Sequence, residues 1–120
     1  MLWEVESYED DDGSSPVEQF LEALPDKPLG RVVQVIRLLK ERGPHLAFPF
    51  SSQVEGKLRE LRAHYGRDQY RVLYYGDPNR VFILLHAFRK HTAQIPKQDS
   101  ELAQQRMKTD EQSKLMKGRR

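Results

Sequence analysis

Basic side chains gather on and beside three nearby segments of this 120-residue chain: Lys57, Arg59 and Arg62 on the first, Arg71 on the second, Arg89-Lys90-His91 just past the third. Several cations fixed around one point suit a phosphodiester, whose transition state gains negative charge on oxygen. Arginine adds bidentate geometry for phosphate. Cutting RNA without a metal needs a base for the ribose 2′-OH, cations for the pentacoordinate phosphate and an acid for the leaving 5′ oxygen. His91 stands beside the basic cluster and is the residue type best suited to proton transfer near neutrality. Glu60, flanked by arginines, is the other candidate base. Each such group contributes about 10²–10⁴-fold. Lys57, Arg59, Arg89 and Lys97 are candidate RNA contacts around the catalytic set Glu60, Arg62, Arg71, Lys90 and His91.

The same residues have plainer readings. Glu60, Arg62 and Arg71 can be cross-strand charge pairs without catalytic purpose. His86, in Leu84-Leu85-His86-Ala87-Phe88, reads as a hydrogen-bonded core histidine. Tyr70, Tyr74 and Tyr75 are strand formers that pack. No Walker loop, GxGxxG, HExxH or nucleophile elbow occurs, and the four histidines lack the i, i+4 spacing of two ligands on one helix. No metal or cofactor is expected.

These side chains need a sheet to hold them. Three strands are predicted at Lys57–Ala63, Gln69–Tyr75 and Arg80–Phe88, joined by turns around Gly66 and at Gly76-Asp77-Pro78-Asn79. The Val-Phe-Ile-Leu-Leu run of the third suggests a central place with both faces covered. Leu58 and Leu61 have opposite parity, so either a bulge lies there or one leucine lines the other face. Upstream, Leu2–Ser7 reads as an edge strand, and Ser15-Pro16-Val17-Glu18 as a capping box opening a helix with stripe Phe20, Leu21 and Leu24. A second helix, capped by Asp26, carries Leu29, Val32, Val33, Ile36 and Leu39 on one face and stops at Gly43-Pro44. His45–Glu55 has no period and reads as loop. Past Pro96, Asp99 or Ser100 caps a last helix with Leu102, Ala103, Arg106 and Met107. The expected fold is α+β in the order β-α-α-β-β-β-α: an antiparallel sheet, two N-terminal helices on one face and a C-terminal helix. Residues 1–109 make one domain, and 110–120 a charged, flexible tail.

With no cysteine, disulfides and thiolate chemistry are out, and a reducing cytoplasm is the expected home. The acidic start lacks a basic, then apolar, leader, and no apolar run approaches the ~20 residues that span a bilayer, so no membrane partner is expected. Charge is segregated: residues 1–30 carry nine acids against one base, 31–96 carry net +7 and 97–120 net +3. Such segregation suits a polyanion-binding body, or an acidic segment folded against a basic one.

The ordered series Lys57-Leu-Arg-Glu-Leu-Arg62, Tyr70-Arg-Val-Leu-Tyr74, Phe82-Ile-Leu-Leu-His-Ala-Phe-Arg-Lys90, then Pro96, Ala103 and Arg106-Met107, resembles the phage-derived HigB-type branch of the RelE/ParE toxins. The likeness runs from about Leu58 to Met107. It implies a toxin of a type II toxin-antitoxin system, a ribosome-dependent mRNA endonuclease that inhibits translation. It further implies a small helix-turn-helix antitoxin as partner in a hetero-oligomer. Arg71 matches the arginine that RelE-like members use on the scissile phosphate. Lys90 falls where they place a second catalytic cation, and Glu60 and Arg62 match the Glu-Leu-Arg of the HigB-type branch. His91, Gln94-Ile95-Pro96 and Ser100 depart from the usual pattern, and the base stays open between Glu60 and His91. A ParE-like binder of DNA gyrase and an inactive protein-binding module share the same fold class.

Overall fold

The computed structural model describes residues 1–117. Five strands, β1 (Val5–Ser7), β2 (Ser51–Glu55), β3 (Leu58–Tyr65), β4 (Asp68–Gly76) and β5 (Phe82–Lys90), form one sheet in the order β1-β5-β4-β3-β2. Helices α1 (Pro16–Glu22) and α2 (Asp26–Arg42) cover one face, and α3 (Lys97–Lys117) covers the other. The α+β class and the two N-terminal helices on one face are as expected; the second core under α3 on the other face is not. The strand count is not. Ser51–Glu55, inside the stretch read as loop, is an edge strand paired antiparallel with β3. Nor is the sheet wholly antiparallel, because β1 runs parallel to β5, with Val5 opposite Phe82.

Each face has its own core. Val17 and Leu21 of α1 and Val32, Val35 and Leu39 of α2 pack on Leu61, Ala63, Tyr70, Val72, Tyr74, Leu84 and Ala87. Ala103 and Met107 of α3 pack on Leu58, Leu73, Tyr75, Ile83, Leu85 and Phe88. The opposed parity of Leu58 and Leu61 thus puts one leucine in each core. In α2 the buried stripe is rotated from the expected one: Val35 faces the sheet, while Val33 is 40% exposed.

Local chemistry sets the helix ends. The Ser15 hydroxyl accepts the Glu18 N–H as a capping serine does. Glu18 does not reach back; its carboxylate accepts the Ser7 hydroxyl at 2.7 Å and ties α1 to β1. Asp26 is the first residue of α2 rather than its cap. Helix α3 starts at Lys97, ahead of the expected caps, and runs on through Asp110 to Lys117, where a charged tail was expected. The end of that tail, 118–120, lies outside the described residues.

Candidate functional site

Side chains alternate along a strand, so register decides which bases can meet. Arg62 lies opposite Arg71, and Arg71 opposite Phe88. Phe88, Leu73 and Leu58 belong to the core under α3, so Arg71 and Glu60, each two residues from one of those leucines, share that face. Lys90 reaches it through a bulge. Leu73 and Tyr74 of β4 pair with His86 and Leu84, which leaves Leu85 over. Leu85 packs under α3 and His86 bonds to Asp99 of α3, so two successive residues point the same way. Strict alternation from Leu84, which packs under α1 and α2, would send Phe88 and Lys90 to the wrong face. The extra residue moves them across.

The result is one buried polar cluster. Arg71 is 2% exposed, and its Nη1 donates to the Tyr70 carbonyl at 3.0 Å. Its Nε lies 2.8 Å from Glu60 Oε1, a buried ion pair in which the carboxylate holds the guanidinium charged. Glu60 Oε2 accepts the Ser52 hydroxyl from β2 at 2.6 Å. Among the described residues, the buried side-chain polar atoms lacking a hydrogen-bond partner are Glu60 Oε1, Arg62 Nε and Arg71 Nε, all in this cluster. Buried polar atoms are satisfied as a rule, and each exception asks for a reason. Burial pulls the Arg71 pKa below its usual value; Glu60 opposes this and Arg62 adds to it. Burial also lowers the Lys90 pKa, reinforced by Arg71 and Arg62 and opposed by Glu60. The four charges therefore feel one another directly.

A groove of about 360 Å³ opens over Glu60 and Lys90, bounded by Gln53 and Val54 of β2, by the turn before α3, and by Lys97. A larger concavity of about 670 Å³ lies on the other face, lined by Phe20, Leu24, Tyr65, Tyr70 and Arg89. It is mostly apolar and holds none of the unsatisfied atoms, so the smaller groove is the better candidate.

Of the nine residues singled out, Glu60, Arg62, Arg71, Lys90 and Lys97 come together. His91 follows Lys90 but is exposed and, among the described residues, makes no hydrogen bond to the cluster. Arg89 turns to the opposite face. Arg59 also points away, its Nη2 donating to the Ser51 hydroxyl at 3.0 Å. Lys57 pairs with Glu111 at 2.8 Å on the surface. His86 is the hydrogen-bonded histidine expected, with Nε2 2.6 Å from Asp99 Oδ1 and its ring stacked on Phe88. Ser52 and Phe48, the latter lying 4.6 Å from the Arg62 guanidinium, belong to the aperiodic stretch and carry no sequence signal. Among the described residues, no ion pair joins residues 1–30 to the basic body, and no helix is long and apolar enough to cross a membrane.

Residues 19–108, three quarters of the chain, match the family described as phage-derived protein Gp49-like (DUF891). No curated protein matches the chain.

Proposed function

Because the chain belongs to the Gp49-like family of phage-derived proteins, a family of the RelE/HigB toxin class, we propose that it is a HigB-type toxin that cleaves messenger RNA on the ribosome. In this reading it is neutralised by a small helix-turn-helix antitoxin, and residues 1–109 act as its catalytic domain. The observation that carries the proposal is the crowding of three cations, Arg62, Arg71 and Lys90, around the single buried carboxylate of Glu60, with the buried Arg62 Nε lacking an acceptor. An excess of buried cations, one with an N–H that has no acceptor, is ready for phosphate oxygens, and its hold tightens as the phosphorus becomes pentacoordinate. Because the cations are fixed by the fold, no reorganisation is required as charge develops.

The chemistry follows from these groups. Glu60 takes the proton of the 2′-OH, and the 2′ oxygen forms a bond to phosphorus. The bond from phosphorus to the 5′ oxygen breaks, and Lys90, made more acidic by burial and by Arg71, gives that oxygen a proton. The products are a 2′,3′-cyclic phosphate and a 5′-hydroxyl end. Glu60 is preferred over His91 as base because it lies inside the cluster, against Arg71.

Expression of the wild type and of Arg71→Ala, with mapping of RNA ends on a translated message, tests the proposal. The wild type should arrest growth and cut mRNA in a purified ribosome assay with EDTA present; Arg71→Ala should cut about 10²–10³-fold more slowly. Arg71→Lys keeps a buried charge opposite Glu60 and so separates chemistry from folding. It should fold and still be slow, because an ammonium lacks the bidentate fork. Growth arrest with intact mRNA and impaired DNA supercoiling would mark a gyrase-directed toxin instead, and no arrest at all a protein-binding module.

A further inference from the structure

Phe48 is 70% exposed in the loop leading into β2. A single exposed aromatic needs no explanation, but this one is tied to the basic cluster. The Arg62 guanidinium lies 4.6 Å from its ring centroid, while Nε of the same arginine is buried and without an acceptor. One side chain therefore joins the unsatisfied cluster to an open aromatic face. Beyond it runs a groove of about 200 Å³ lined by Arg31, Gln34, Phe50, Arg62 and His64, with no acid among its lining residues. Arg42 sits 5.8 Å from the Phe50 ring, repeating the pairing of cation and aromatic. A solvent-open ring braced by a cation is how single-stranded nucleic acid is held at one base, the cation following the backbone and the ring carrying the base.

We propose that Phe48 is a stacking platform for one nucleobase of single-stranded RNA, next to the phosphate held by Arg62 and Arg71. This rests on the ribonuclease reading above. Every base has a π face, so the platform fixes the position of the strand without choosing its sequence. Arg62 then has two tasks, bracing the ring and completing the phosphate cluster.

The test uses the full chain with ribosome-bound mRNA, following single-turnover cleavage against toxin concentration. Loss of one stacked base corresponds to about 5- to 150-fold in affinity. Phe48→Ala and Phe48→Leu should raise the half-saturating concentration by that factor with unchanged thermal unfolding, and Phe48→Trp should stay near the wild type. If either of the first two remains within about twofold of wild type, the platform is wrong. In particular, normal cleavage by Phe48→Leu alone would reduce Phe48 to an apolar rest for Arg62. A wild type that cuts no RNA overturns the ribonuclease reading and the platform together, whereas a cutting wild type with unaffected variants overturns the platform alone.

Discussion

At one end of the α3 face, Lys114 Nζ lies 2.5 Å from Asp77 Oδ2 and 2.8 Å from Asp110 Oδ2. Asp77 Oδ1 accepts the N–H groups of Asn79 and Val81, and the Tyr75 hydroxyl donates to Asp110. At the other end, beyond Phe88, three cations, Arg62, Arg71 and Lys90, share the one carboxylate of Glu60, which pairs with Arg71 at 2.8 Å, and the buried Arg62 Nε has no acceptor. Both ends bury charge under one helix, but only the second carries an excess of cations and a buried N–H without an acceptor. A satisfied cluster is a clasp: it stiffens the turn between β4 and β5 and pins α3. A buried N–H without an acceptor costs stability at rest, about 1–3 kcal/mol for that group, and an anionic ligand that completes the cluster offsets the cost.

The sharpest way to separate the two ends is Lys90→Met. It removes a proton donor from the cluster and should slow cleavage by about 10²-fold or more. The thermal midpoint should hold or rise, because Arg71 and Arg62 lose a like charge beside them. A variant that loses stability in step with activity would make this end a second clasp.

Asp77→Ala should do the reverse. It removes the acceptor for two turn N–H groups and one partner of Lys114. The expected loss is about 2–3 kcal/mol in urea unfolding, with cleavage by the folded fraction unchanged. Slowed cleavage with intact stability would break the contrast from the other side.

Legibility in the sequence followed the same division. The cluster's charges could be read because basic residues on neighbouring strands are a matter of composition and alternation. Their assignment to faces could not. Arg89 and Lys90 differ by one position and so face opposite ways, and the bulge at Leu85-His86 that decides between them lies in a run buried on both sides, where alternation is erased. β2 was hidden because Ser-Ser-Gln-Val-Glu has no strand pattern of its own; pairing with β3 makes it a strand. The last turns of α3 carry few apolar residues and are held instead by Lys114, through contacts with Asp77, 37 residues away. No local pattern records a partner so distant.

Protonation gives the mildest test. Burial alone would raise the Asp77 pKa, but the hydrogen bonds from Lys114, Val81 and Asn79 outweigh it and hold the carboxyl below its usual 3.8. Burial would lower Lys114, but Asp110 and Asp77 outweigh it and hold the ammonium above its usual 10.5. Burial, then the bond to Asp110, pushes the Tyr75 phenol above its usual 10.0. A depressed carboxyl stabilises the fold above its unfolded pKa and loses that contribution as pH falls through the folded one; a raised lysine or phenol stabilises below its unfolded pKa and loses it as pH climbs. The clasp is therefore level between about pH 5 and 9 and weakens outside that range. Lys90 has the opposite sign: its folded pKa is below 10.5, so the unfolded chain binds more protons between the two values and stability rises with pH there. Urea unfolding measured from neutral pH upward should show this rise superposed on the fall as the clasp gives way, and Lys90→Met should abolish the rise while leaving the fall in place. A rise that survives in Lys90→Met would mean that the cluster's like charges are already relieved in the resting fold, and the contrast between the two ends would no longer rest on unspent electrostatics.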